Sequence, residues 1–252
     1  MKAYVKSKIS NGLGEVEFYH PKSNSLPYSL LEQLSFEIKQ LGDDDNVKCI
    51  LLKSGGSKAF CAGASFDELL SIENELQGKQ FFLGFAKVIS AMRQAPKLVV
   101  TSVQGKVVGG GIGLVCASDY VIAHESASIK LSELSIGIGP FVIAPVVQRK
   151  LGLAHFTNMC LNPKKWKTSE WALDKGIYSE IYSQMDDLNL RLSQLINEYV
   201  NYSSETIFKI KSMFWEGFES IEKEMEKRAE QSGQLVLSDF TKKILKSLQS
   251  KQ

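Results

Sequence analysis

The stretch VVGGGIGLVCASDY, Val107 to Tyr120, places three consecutive glycines and then a fourth at the mouth of a short apolar run that reads as a helix. The segment before it, KLVVTSV (Lys97 to Val103), reads as a buried strand. Glycines between a strand and a helix let backbone N–H groups approach a ligand, at the helix end whose dipole favours negative charge. A phosphate loop needs a lysine after the glycines, and none stands between Val107 and Cys116. The dinucleotide fingerprint fits no better, because Cys116 stands where it ends in a small glycine or alanine. Packing would explain one such glycine, but three in a row point to an oxyanion hole.

Outward from this stretch the chain alternates strands and helices. Ala3 to Ile9 and Glu15 to Tyr19 alternate with period two around Asn11-Gly12, the signature of a hairpin turn. Leu31, Leu34, Ile38 and Leu41 mark one face of a helix, and VKCILLK after Asp43 to Asp45 reads as a buried strand. A further helix carries Phe81, Phe85, Val88, Ile89 and Met92 and stops before Pro96. Repeated strand–helix–strand units imply parallel pairing. From about Thr168 the pattern becomes helical, with Leu188, Leu192, Leu195 and Ile196 on one face. The fold class is therefore α/β with a helical C-terminal region, divided as a core over 1–195 and helices over 196–252.

The chain has 252 residues, 44% of them hydrophobic, enough for one full core, and its net charge of +2 with no basic stripe gives nucleic acid no special support as a partner. The apolar runs are too short to span a bilayer, and the N-terminus enters strand-like alternation directly, so a cytoplasmic location is expected, with no membrane partner. Cys49, Cys61, Cys116 and Cys160 lie apart in apolar settings and read as buried free thiols; with His20, His124 and His155 scattered, no metal site is expected.

A second loop, SGGSKAFCAGASFDELL (Ser54 to Leu70), also follows a buried strand. With NSL at Asn24, SELSIGIGP and ALDKGIYSEI, the two loops resemble those of the enoyl-CoA hydratase/isomerase (crotonase) superfamily along almost the whole chain. The resemblance implies a ββα spiral core with C-terminal helices that build homotrimers or homohexamers. It also implies acyl-CoA thioester substrates, with coenzyme A part of the substrate and no separate cofactor. By the same resemblance the N–H groups of Ala64 and Gly110 form the oxyanion hole, Glu133 is a catalytic carboxylate, and Ala62, Ser65, Phe66, Gly109, Gly111 and Gly113 belong to the substrate site.

The sequence departs from the family pattern at Gly113, where hydratases carry a second carboxylate. Hydration must orient a water and deliver both its oxygen and its proton. Double-bond migration needs one base, which takes a proton from C2 and returns it at C4. One carboxylate therefore favours a 3-enoyl-CoA to 2-enoyl-CoA isomerase, with a hydratase using a water beside Gly113, or a non-catalytic acyl-CoA-binding protein, as alternatives. Leu131, Leu134 and Ile136 are expected to desolvate Glu133. Phe141 either narrows the acyl pocket or fills the core, Cys61 reads as an apolar filler, Pro140 and Pro145 suit the first turn of a helix, and Lys242-Lys243 read as a charged helix face.

Overall fold

In the computed structural model, which describes residues 2–249, the chain opens on the expected hairpin of β1 (Tyr4–Ser10) and β2 (Leu13–Tyr19). Asn11 and Gly12 take φ of 50° and 80°, the paired positive values that a two-residue turn demands. Helix α1 (Tyr28–Asp43) follows, then β3 (Cys49–Ser54), β4 (Ala59–Cys61), α2 (Phe66–Ser71) and α3 (Glu75–Gln94). The middle of the chain holds β5 (Leu98–Val103), β6 (Lys106–Val108), α4 (Gly110–Ala117), β7 (Tyr120–His124) and β8 (Ile129–Lys130). A single 3-10 turn, Glu133–Ile136, leads to α5 (Ala144–Leu161), with Ile143 as N-cap and Pro145 in the first turn. Helix α6 (Ser169–Asp174), strand β9 (Glu180–Tyr182) and helices α7 (Met185–Val200), α8 (Ser204–Phe214), α9 (Ile221–Leu235) and α10 (Asp239–Gln249) complete it.

From β3 onward successive strands alternate between two sheets. The larger runs in the order β1-β2-β3-β5-β7-β9 and the smaller β4-β6-β8, so each turn of the chain places one strand in the large sheet and the next in the small one. Beyond the opening hairpin every pairing between these strands is parallel, with one isolated antiparallel bridge between Ile129 and Lys167. The result is a spiral of ββα turns with a helical C-terminal region. Strand β9 was not expected: three residues are too few for an alternation to register in the sequence.

At β3 the large sheet is buried on both faces, which is why that strand reads as a continuous apolar run, whereas β1 is largely exposed. Ile50 and Leu52 face the main core, while Cys49 and Leu51 meet Leu188, Leu192, Leu195 and Ile196 of α7. The expected division after Leu195 lies within α7, whose Leu195 and Ile196 share that one cluster. Helix α9 packs along α3 so closely that a β-carbon built on Gly78 would lie 2.6 Å from Gly233 Cα. No helix among the described residues is long and apolar enough to cross a membrane.

Candidate active site

The three strands of the small sheet run parallel, so the segments leaving them gather at one edge. Beyond β4 come Ala62 to Ser65, beyond β6 comes Gly109, and beyond β8 comes Glu133. With α3 and the segment before α5 they enclose a cleft lined by Ala62, Gly63, Ala64, Phe66, Leu69, Phe82, Phe85, Val108, Gly109, Gly110, Ser132, Glu133, Ile136, Ile138, Gly139, Pro140, Val142, Ile143 and Ser232.

Glu133 supplies the only ionisable side chain in this lining. Its Oε2 is sealed from solvent without a hydrogen-bond partner among the described residues, and burial pushes the carboxyl up to about 7. The neighbours expected to desolvate it differ in part: Leu131 and Ile136 are buried, while Leu134 is 50% exposed.

Two backbone donors complete the arrangement. Around Ala64, the N–H groups of Ala62, Gly63 and Ser65 donate to Ser23 O, Cys61 Sγ and Leu26 O, at 3.1, 3.4 and 3.1 Å. The Ala64 N–H has no acceptor among the described residues, nor has that of Gly110, the first residue of α4. The Gly109 N–H, by contrast, donates to Lys130 O at 3.0 Å. Two free donors beside a protonatable carboxylate in an apolar cleft can stabilise a developing oxyanion and carry a proton.

The three glycines turn out to have different reasons. Gly109 adopts φ 54°, ψ −124°, a conformation side chains resist, and a β-carbon there would meet Glu133 Oε1 at 2.7 Å. Gly110 yields to the Phe85 ring, 2.3 Å from its would-be β-carbon, and Gly111 to Cys61 Cβ at 2.7 Å. Packing therefore explains two of the three, contrary to the expectation that the run as a whole serves a ligand.

Not every expected site residue reaches the cleft. Ala62, Ala64, Phe66, Gly109, Gly110 and Glu133 line it, whereas Ser65, Gly111, Gly113 and Phe141 do not. Ser65 is buried with its N–H bonded to Leu26 O. Gly113 packs on Ile143, whose Cγ2 lies 2.4 Å from its would-be β-carbon, so the side chain of Ile143 fills the room reserved for a water. Phe141 folds over Gly139, half-buried, and it is Val142 and Ile143 that shape the wall. Cys61 is a buried free thiol that burial pushes up to about 12, as suits a filler. All four cysteines are free.

Two residues named in the sequence, Asn24 in the NSL motif and Lys242 on its charged face, prove to have structural roles. Asn24, at φ 56°, accepts from His20 N–H and donates to Gly55 O and Ala59 O, each at 2.8 Å. It thereby holds the segment that straps the Ala62 to Ser65 turn. Lys242 is no free charged face: its ammonium donates to Leu69 O, Leu70 O and Ile72 O, capping the end of α2. An unpaired asparagine and a lysine pair carry no local signal for such long-range partners. Adjoining the cleft, a shallow groove shares Ala62, Ala64 and Phe66 with it and adds Lys22, Ser23, Ser25 and Asp67.

The spiral of two sheets with its turns gathered at one edge is the crotonase-type fold. Residues 8–250 match the enoyl-CoA hydratase/isomerase family, and the chain belongs to it. It is similar to the bacillaene synthase dehydratase PksH of Bacillus subtilis, 26% identical over 76% of this chain and 75% of that one. A short-chain-enoyl-CoA hydratase of Clostridium acetobutylicum is also 26% identical, over 69% of this chain and 67% of the other. In fold it resembles the enoyl-CoA hydratase of Bacillus halodurans, with a TM-score of 0.90 at 22% identity over 97% and 99% of the two chains.

Proposed function

We propose that this enzyme moves the double bond of an acyl-CoA thioester from the 3 to the 2 position. The carrying observation is that Glu133 is the only carboxylate lining the cleft, while Ile143 occupies the space beside Gly113. In this reading the Glu133 carboxylate removes a C2 proton. The electron pair spreads onto the thioester oxygen as an enolate, which accepts hydrogen bonds from the Ala64 and Gly110 N–H groups. Glu133 then returns the proton at C4 as the double bond settles between C2 and C3. A carboxyl near pH 7 suits both halves of this cycle, because it gives up and regains its proton at similar cost. Each oxyanion donor of this kind contributes about 3 to 4 kcal/mol to the transition state. The groove bearing Lys22 and Ser25 offers the CoA moiety an approach past Ala64.

The names of the relatives, a dehydratase and a short-chain-enoyl-CoA hydratase, favour hydration as the second reading. Incubation with 3-enoyl-CoA and 2-enoyl-CoA, with the products identified, separates them. Migration of the 3-ene without substantial 3-hydroxyacyl-CoA is expected, and efficient hydration of 2-enoyl-CoA with no migration would overturn the isomerase assignment. Exposed Phe208, Met213 and Phe214 on α8 support assembly into a homotrimer or homohexamer, and the free thiols suit a cytoplasmic enzyme.

A further inference from the structure

Helix α9 lends the cleft a single side chain, Ser232. This residue is fully buried, and its Oγ has no hydrogen-bond partner among the described residues. Serines within helices commonly satisfy themselves by donating to the carbonyl four residues back. Ser193 does so to Asn189 O at 2.9 Å and Ser212 to Phe208 O at 2.8 Å, but Ser232 does not. Its position is not free to drift, because the next residue, Gly233, is locked against Gly78 of α3. A buried hydroxyl left unpaired at the wall of a cleft is a group awaiting a partner from a ligand.

The surroundings say which partner. The lining of the cleft is mostly apolar and includes Leu69 of α2 and Phe82 and Phe85 of α3. Glu133 is the only charged group in the lining, and no cation is present there among the described residues. A carboxylate on the substrate chain would stand without a counter-charge beside a second carboxylate. A neutral oxygen would not. We propose that Ser232 is a specificity-determining residue that selects acyl chains carrying a neutral hydroxyl group. The inference rests on the acyl-CoA reading of the cleft and names its substrate class more closely.

The test is binding, which does not require turnover. Wild-type protein is titrated calorimetrically with hexanoyl-CoA and with its 4-, 5- and 6-hydroxy derivatives. At least one hydroxylated ligand should bind about tenfold tighter than hexanoyl-CoA, and Ser232→Ala should bring it to parity. The unliganded variant should melt at or above the wild-type temperature, since no hydrogen bond of the free protein is lost. Equal affinities in wild type, a preference that survives Ser232→Ala, or a lowered melting temperature would each overturn the inference. Binding without preference would sink this inference alone, whereas no binding of any CoA thioester would sink the acyl-CoA reading with it.

Discussion

Ile143 Cγ2 lies 2.4 Å from the place a β-carbon on Gly113 would take, and Ile89 Cδ1 lies 3.3 Å from the same point. A glutamate installed at Gly113 therefore does not simply regain the second carboxylate of a hydratase. Overpacking of this kind costs about 1 to 3 kcal/mol, and a charge forced into an apolar wall adds to it. Gly113→Glu should lower the melting temperature by several degrees without raising hydration of 2-enoyl-CoA. Adding Ile143→Ala to the same protein should recover part of the lost stability, read by thermal denaturation and by product analysis.

Glu133→Gln keeps the shape of the side chain and removes the proton acceptor. Acyl-CoA affinity should persist while turnover falls by orders of magnitude; near wild-type turnover would remove Glu133 from the mechanism. The pH dependence has a definite sign. Burial raises the folded-state carboxyl from 4.5 to about 7, so the folded protein keeps a proton that the unfolded chain releases. That contribution to stability is fully present below about pH 4.5 and is lost as pH rises through about 7. It amounts to about 3 kcal/mol, and Glu133→Gln should abolish this part of the pH dependence in denaturant melts. Over the same range kcat/KM of the wild type should rise with pH, as the base becomes ionised.

How far the sequence spoke for itself can be judged at these two positions. The turns around Gly109 and Ala64 were legible because strand-ending loops with unusual composition are local signals, whereas Glu133 was marked only by the resemblance to the family. The hairpin at Asn11-Gly12 and the stop before Pro96 were legible for the same reason, since each is encoded by adjacent residues. The occupant of the space beside Gly113 was not, because Ile143 arrives there from a distant segment and nothing local marks the contact. Ser232 was equally hidden: on a charged, amphipathic helix a serine looks like any other surface hydroxyl until α9 is laid against α3.

Two glycines with positive φ offer an internally controlled comparison. A β-carbon on Gly152 (φ 71°) would meet nothing within 4 Å, whereas one on Gly109 (φ 54°) would meet Glu133 Oε1. Gly152→Ala should therefore cost only the backbone strain, about 1 to 2 kcal/mol, and leave activity intact. Gly109→Ala should cost more and also displace the carboxylate, so that kcat falls along with stability. Equal effects of the two substitutions on kcat would contradict the close approach at Gly109.

Asn24→Ala should loosen the strap over the Ala62 to Ser65 turn. Leaving Gly55 O without its side-chain donor, and Ala59 O with only the Gln104 amide at 3.3 Å, is expected to cost about 1 to 3 kcal/mol. If the strap also keeps the Ala64 N–H aimed into the cleft, kcat should fall in the variant while a far-UV spectrum stays unchanged. Retention of full stability would show that the strap holds without this side chain.

Lys211 of α8 reaches into the core and forms an ion pair of 3.0 Å with Asp119, both side chains almost wholly buried. The ammonium also donates to Met92 O at 2.7 Å and Lys97 O at 2.8 Å, and Asp119 accepts from the Val99 N–H at 2.8 Å. Burial drives the lysine toward neutrality and Asp119 opposes it. Lys211→Met should strand the aspartate and cost about 3 to 5 kcal/mol, measured by denaturant unfolding, with the aspartate–methionine mismatch partly relieved in a double variant that adds Asp119→Leu.

The pair also sets the order in which the chain can be completed. Asp119 leaves the ribosome long before Lys211 does, so a nascent chain that has already laid down β5 and β7 holds a carboxylate that accepts from the Val99 N–H but lacks its cation. Until α8 emerges, that carboxylate has only water to take the place of the ammonium. The C-terminal helices are in this sense the stopper of the sheet rather than an appendage to it, and exchanging them for those of a relative would succeed only if the donor brought its own cation to Asp119.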